Sequence, residues 1–142
     1  MFREILVPVD GSEFSLRAVK VAASLAGKFD SRITVLYVVS LPFSTPALSP
    51  EVGGIIPQSI FDELEKEGQA VLARAEEELS NATAVTKLRT GHPAMEIIEE
   101  AKTGYDLIVM GSRGLGELKG FVMGSVSDRV THHAGCTVMI VH

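Results

Sequence analysis

The chain has 142 residues, of which 46% are hydrophobic and 22% are charged, with a net charge of -5 and a single cysteine, Cys136. This composition excludes a disordered chain and an internal disulfide, and no apolar run approaches the roughly 20 residues of a membrane span. The negative charge and the absence of any Lys/Arg cluster argue against a nucleic acid as the main partner. We therefore expect one cytoplasmic domain over residues 1–142, without a cleaved leader, that acts on small molecules and proteins.

Five short stretches rich in β-branched and apolar residues predict strands. Several of them are almost continuously hydrophobic, which is typical of a parallel sheet covered by helices on both faces. In chain order the predicted strands are Glu4–Val9, Arg32–Val39, Ala84–Thr90, Asp106–Met110 and Thr137–Val141.

A helix is predicted after each of the first four strands. The first begins after Ser12, a good N-cap residue, and Gly27 is a stop signal near its end. The second runs from about residue 58 to 79, the third follows Pro93, and the fourth begins near Gly124. The apolar positions expected to pack on the sheet are Ala18, Val21, Ala22 and Leu25, then Ile60, Leu64, Val71 and Leu72, then Met95, Ile98 and Ala101.

The alternation of strand and helix predicts an α/β fold, a doubly wound, five-stranded parallel sheet of the Rossmann-like kind. In such sheets ligands bind beyond the carboxyl ends of the strands, where the winding direction reverses. The segments after Val9, Val39 and Met110 are therefore the first candidates for a site. Residues 41–57 form a long connection with four of the six prolines, and a lid, a partner surface and a flexible insertion all fit it.

The segment from Gly111 to Ser127 carries the clearest chemical signal, because it has five glycines in its first fourteen positions. Glycine lets backbone N–H groups approach a ligand closely, and the segment ends at a helix start that favours an anion. Arg113, Ser125 and Ser127 add donors suited to phosphate, although Ser125 also fits a simple helix cap. Walker A fails because Glu117 stands where its lysine is required, and the dinucleotide fingerprint fails on spacing, so the segment is neither a P-loop nor a nicotinamide site.

The spacing that does fit is G-x2-G-x9-G-[ST], met by Gly111, Gly114, Gly124 and Ser125, and in it the chain resembles the universal stress protein family. The resemblance extends over the full length, from Ile5-Leu-Val-Pro-Val-Asp-Gly-Ser12 through Gly91-His-Pro93 to the glycine-rich segment. The glycine motif is that of the ATP-binding branch of the family, whose fold is that of the adenine nucleotide alpha hydrolases.

The resemblance implies a set of contacts with ATP, leaving ADP and AMP as alternatives, and with Mg²⁺ held through the phosphates. Adenine and ribose would lie beside the ends of the first two strands, and the phosphates beside the glycine motif. Asp10 also fits a turn or capping residue, and Pro8 and Val38 fit ordinary strand-end positions. The implied binding residues are Pro8, Val9, Asp10, Val38, Met110, Gly111, Arg113, Gly114, Gly124, Ser125, Val126 and Ser127.

Other candidate sites are weaker. Neighbouring His132 and His133 on a helix point about 100° apart and do not easily share a metal ion, so we interpret them as surface residues. The uncharged strand Thr137–Val141 is expected at a sheet edge, and it predicts a homodimer joined there, as the family commonly associates.

Three functions fit the sequence. The leading one is an ATP-binding regulatory protein of a stress response, whose nucleotide occupancy changes its interaction with an unknown protein partner. A slow ATPase is the enzymatic alternative. Hydrolysis is expected to be slow because no general base or metal cage is evident. The third is a nucleotide-independent dimer module that binds other proteins.

Overall fold

The computed structural model of the chain describes residues 1–41, 56–80, 82–115 and 123–142. Most of the 41–57 connection, with Gly116 and Gly120 of the glycine-rich segment, therefore lies outside the described residues. The predicted alternation of strands and helices is confirmed. In chain order the elements are β1 (Glu4–Val9), α1 (Glu13–Phe29), β2 (Arg32–Val39), α2 (Gln58–Leu79), β3 (Ala84–Thr90), α3 (Pro93–Ala101), β4 (Leu107–Gly111), α4 (Ser125–His133) and β5 (Thr137–Val141).

All five strands are parallel and lie in the order β3-β2-β1-β4-β5, which is the predicted doubly wound sheet. The winding direction reverses between β1 and β4. These two strands pair only at Ile5 with Leu107 and at Leu6 with Ile108, whereas β1 and β2 pair along the whole of β1. A crevice therefore opens beyond the carboxyl ends of β1 and β4, at the position expected for a ligand.

Helices cover both faces of the sheet and form two apolar cores. Ile5 and Val7 of β1 point to the core beneath α1 and α2. Leu6 of β1 and Ile108 of β4 point to the other core, beneath α3 and α4. This alternation buries β1 on both sides and explains why its sequence is almost continuously apolar.

The ends of two elements differ from the prediction. Strand β4 begins and ends one residue later than predicted, and the Asp106 side chain before it accepts a hydrogen bond of 2.9 Å from the Glu4 backbone N–H. Gly27 does not stop α1, which continues to Phe29 and ends at Asp30 in the left-handed conformation, with φ of 54°. Ser12 is confirmed as the N-cap, since its side chain accepts the Ser15 N–H.

The predicted packing face of α3 is wrong at Met95, which is 46% exposed. Helix α3 instead buries Ala94, Ile97, Glu100 and Ala101. Glu100 is tolerated there because the side chains of Lys87 and Arg89 on β3 donate hydrogen bonds to its carboxylate. His132 and His133 are exposed, as interpreted, and Cys136 is a partly buried free thiol.

Candidate functional site

A pocket of about 240 Å³ occupies the crevice at the carboxyl ends of β1, β2 and β4. Its walls also include residues of the first turns of α3 and α4. Every residue of the predicted site lines this pocket except Ser125. The lining residues brought together from the prediction are Pro8, Val9, Asp10, Val38, Met110, Gly111, Arg113, Gly114, Gly124, Val126 and Ser127.

Asp10 joins the two sides of the crevice through its carboxylate. One oxygen, Oδ1, accepts the N–H of Ser12 at 2.9 Å, just after β1. The other, Oδ2, accepts the N–H of Leu115 at 2.9 Å, in the segment after β4. Asp10 therefore both forms the turn after β1 and lines the pocket.

Two glycines of the motif are required by close packing around the crevice. A Cβ atom on Gly114 would lie 2.4 Å from Asp10 Oδ2, so a side chain there displaces the Asp10 carboxylate. A Cβ atom on Gly111 would lie 2.8 Å from both the carbonyl carbon and the Cβ of Phe14, in the first turn of α1. The motif spacing thus allows β4 and the segment after it to approach β1 and α1 closely.

The start of α4 is held by hydrogen bonds to Ser112, which follows β4. The Ser127 hydroxyl donates to the Ser112 carbonyl at 2.7 Å and to the Gly124 carbonyl at 3.0 Å. The Gly124 N–H donates to the same Ser112 carbonyl at 2.7 Å. Gly124 is the N-cap residue of α4 and, being a glycine, has no side chain that could cap the helix. The backbone N–H groups of the first turn therefore lie at the pocket without a side-chain cap from this residue.

The two serines of α4 therefore differ. Ser127 is 2% exposed, and its hydroxyl proton is directed to protein carbonyls. Ser125 is exposed and is not among the residues that line the pocket. The role of Ser125 in phosphate binding stays a prediction.

Arg113 brings positive charge to the pocket wall. Its guanidinium carbon lies 4.7 Å from the centre of the Phe14 ring, within the range of a cation–π contact. Arg113 and the first turn of α4 are thus the lining groups that favour an anion, whereas the Asp10 carboxylate, between β1 and the segment after β4, adds negative charge to the pocket.

Sequence reasoning missed several lining residues. Tyr37 adjoins the predicted Val38 at the end of β2, and strand position alone was a usable signal for it. Burial, followed by the nearby carboxylates of Glu67 and Asp10, raises the pKa of the Tyr37 hydroxyl, so it remains a neutral donor. Pro93 and Ile97 of α3 had no such signal, because only the packing of α3 on the sheet brings them to the pocket.

The described residues contain neither a candidate metal cluster nor a helix that could cross a membrane. Within 1–41, 56–80, 82–115 and 123–142, no group of three or more His, Cys, Asp or Glu side chains is arranged to hold a metal ion. None of the helices in those ranges combines the length and the apolar character that crossing a bilayer requires.

Comparison with known proteins gives one consistent result. The model of the universal stress protein family matches residues 1–142. Universal stress protein YxiE of Bacillus subtilis is 36% identical over 149 aligned residues, which cover 99% of each chain. Among solved structures, universal stress protein UspA from Lactobacillus plantarum superposes with a TM-score of 0.82 and 27% identity, covering 99% of this chain and 98% of that one. A universal stress protein solved in complex with cAMP has a TM-score of 0.73 and 27% identity, covering 99% and 97%.

Proposed function

The chain belongs to the universal stress protein family, and from this premise we propose that it is an ATP-binding regulatory protein of a stress response. It acts as a cytoplasmic homodimer, and nucleotide occupancy alters its interaction with a protein partner. ADP and AMP are the alternative ligands. The observation that carries the proposal is the pocket at the β1/β4 crossover, where Asp10, Gly114 and the first turn of α4 come together.

The arrangement of the pocket supports a division of the nucleotide between its two sides. Adenine and ribose would lie against Pro8, Val9, Asp10 and Val38, at the ends of β1 and β2. Ribose and the first phosphate would lie against Met110, Gly111, Arg113 and Gly114. The remaining phosphates would lie against residues 124–127, where the helix dipole and uncapped N–H groups favour negative charge.

A bound adenine nucleotide in a relative supports this ligand class. The relative with cAMP is similar to this chain over nearly its whole length. The cyclic nucleotide shares the adenosine part of ATP and one phosphate. It therefore supports the adenosine and first-phosphate positions more directly than the positions of further phosphates.

Mg²⁺ would enter with the phosphates of ATP. Among the described lining residues, Asp10 is the sole carboxylate, and its two oxygens already accept backbone N–H groups. A carboxylate so engaged is a poor general base. We expect any hydrolysis of ATP to be slow, and a turnover rate typical of metabolic enzymes would contradict the regulatory role.

Isothermal titration with ATP and Mg²⁺ tests the proposal, with Gly114→Ala as the variant. The added methyl group displaces Asp10, and we expect ATP binding to weaken about tenfold. Gly27→Ala is the matched control, because its new Cβ would have no neighbour within 4 Å. Parallel titrations with ADP, AMP and cAMP rank the alternative ligands.

The outcomes separate the competing functions. Saturable binding that Gly114→Ala weakens and Gly27→Ala preserves supports the nucleotide site. Failure of the folded wild-type protein to bind any of these nucleotides would leave the dimeric protein-interaction module as the better function.

A further inference from the structure

Phe14 lies directly behind the pocket wall, in the first turn of α1, but it is not among the residues that line the pocket. The ring is partly buried, and among the described residues it belongs to neither apolar core. Packing in the two cores formed by the described residues therefore does not account for an aromatic side chain at this position.

The backbone of Phe14 is fixed against the end of β4. Gly111 provides the space, since a Cβ there would lie 2.8 Å from the carbonyl carbon of Phe14. Two residues further along, Arg113 extends over the ring, with its guanidinium carbon 4.7 Å from the ring centre. A single contact region thus joins the start of α1, the end of β4 and the cationic wall of the pocket.

A second guanidinium, that of Arg17, also contacts the ring. Arg17 lies with its guanidinium carbon 5.4 Å from the Phe14 ring centre, one turn along α1. Its Nη2 is 2.5 Å from Glu13 Oε1, so its charge is paired on the same helix. Of the two guanidinium groups at the ring, that of Arg113 is the one that lines the pocket.

From these contacts we infer that Phe14 is a positioning residue, whose ring holds the Arg113 guanidinium at the pocket wall and thereby favours phosphorylated nucleotides over the nucleoside. The inference rests on the proposed nucleotide function. Arginine has many rotamers, and confining its side chain before the ligand arrives removes part of the entropic cost of binding. A flat aromatic face confines a planar guanidinium more effectively than an aliphatic side chain of similar size.

Titration of four proteins with ATP and with adenosine tests this role. Phe14→Leu keeps an apolar side chain but removes the ring, and we expect ATP affinity to fall about fivefold while adenosine affinity changes less than about twofold. Phe14→Trp restores an aromatic face and should return ATP affinity to within about twofold of wild type. Phe29→Leu, the same change near the other end of α1, is the control and should leave both affinities unchanged.

A double-mutant cycle then assigns the effect to Arg113. In an Arg113→Met background, Phe14→Leu should cause no further loss of ATP affinity, because the ring then lacks the guanidinium that lines the pocket. The NMR resonance of the Arg113 Nε–H, assigned by its absence in Arg113→Met, gives a readout without ligand. Phe14→Leu should remove its upfield ring-current shift, and Phe14→Trp should retain one.

The results distinguish this inference from the function on which it rests. Equal losses of ATP and adenosine affinity in Phe14→Leu, or the same loss in the Arg113→Met background, would overturn it and indicate a purely structural role. Normal ATP binding by Phe14→Leu would also overturn it. Wild-type protein that binds neither ligand would overturn the proposed nucleotide function, and this inference with it.

Discussion

Asp10 shows how one side chain can hold a binding crevice together. Its two carboxylate oxygens accept N–H groups from residues on opposite sides of the pocket, Ser12 after β1 and Leu115 after β4. The amide of asparagine has one oxygen, so one of the two N–H groups must lose its acceptor in Asp10→Asn. We expect the free energy of unfolding to fall by about 1–3 kcal/mol.

Urea denaturation followed by circular dichroism measures this change. Asp62→Asn is the control, since Asp62 is exposed on α2 and accepts a hydrogen bond of 2.9 Å from the Gln58 side-chain amide. Equal stability of Asp10→Asn and wild type would show that the Leu115 contact does not hold the crevice.

Ser125 and Ser127, both in the first turn of α4, allow a test of which serine hydroxyl stabilises the fold. The buried Ser127 hydroxyl donates to the carbonyls of Ser112 and Gly124, whereas Ser125 is exposed. Ser127→Ala should lower the free energy of unfolding by about 1 kcal/mol, and Ser125→Ala should change it by less than about 0.5 kcal/mol. Thermal or urea unfolding of the two variants decides this, and equal effects would contradict the assignment of Ser127 to the α4–β4 junction.

Sequence reasoning predicted most of the residues that line the pocket but not the orientation of these serines. The carboxyl ends of parallel strands meet at one sheet edge, so Asp10, Val38 and Met110 were correctly expected to approach each other. Which face of α4 turns inward depends on the carbonyl of Ser112, and that contact has no sequence signal. Tyr37 could have been found from its strand-end position, whereas Ile97 could not.

At the scale of elements, the end of α1 shows that a glycine near the end of a helix does not always terminate it. Gly27 lies within the helix, and the chain leaves it at Asp30, which adopts φ of 54°. A left-handed conformation is unfavourable for most L-residues, and a negative charge at a helix C-terminus opposes the helix dipole. Asp30→Gly should therefore raise the free energy of unfolding by about 0.5–1 kcal/mol, measured by urea denaturation. Asp30→Ala, which removes the charge but keeps the strain, should gain less.

The inner face of α3 could not be predicted from apolar spacing, because Glu100 is part of it. Its carboxylate receives hydrogen bonds from Lys87 Nζ at 2.7 Å, Arg89 Nη1 at 2.8 Å and the Tyr105 hydroxyl at 3.1 Å. Lys87 and Arg89 lie on the edge strand β3. The face of α3 that carries the acidic Glu100 is therefore buried against this strand, and the face that carries Met95 is left exposed. Tertiary partners, rather than hydropathy, decided which face of α3 is buried.

This cluster should make stability depend on pH. Burial opposes ionisation of Glu100, but the hydrogen bonds from Lys87, Arg89 and Tyr105 outweigh it and lower the pKa of Glu100 below its usual 4.5. Because the pKa is lower in the folded state, the stabilisation is complete above about pH 5 and is lost as the pH falls through the folded-state pKa.

Glu100→Gln tests the linkage. At pH 7 the variant should be less stable by about 2 kcal/mol, since charged hydrogen bonds are replaced by weaker ones, and the difference should shrink progressively below pH 4.5. Urea unfolding at several pH values measures this. Glu99→Gln is the neighbouring control, because Glu99 is an exposed partner of Lys102, and a difference for Glu100→Gln that does not vary with pH would contradict the linkage.

For the whole molecule, the doubly wound architecture followed from the alternation of strands with helices and from the apolar strands that both faces bury. The alternation does not fix which side of β1 the fourth strand takes. That choice, in the order β3-β2-β1-β4-β5, creates the crossover and with it the pocket. It depends on contacts between distant segments, such as the pairing of Ile5 with Leu107.

The same strand order places β5 at one edge of the sheet, beside β4, and no described strand lies beyond it. Its residues from Val138 to Val141 are only partly buried, and a second copy could extend the sheet through this edge. We expect Met139→Lys to convert a dimer into a monomer, because a charge on this strand must be desolvated on pairing.

Multi-angle light scattering of wild type and variants measures the oligomeric state. Val85→Lys is the matched control, since Val85 is 56% exposed on β3, the opposite edge of the sheet, and should leave the dimer intact. Circular dichroism establishes that each variant is folded, because Met139 also packs against the core beneath α1 and α2. A folded Met139→Lys protein that stays dimeric would place the interface away from β5, and dissociation by Val85→Lys alone would place it at β3.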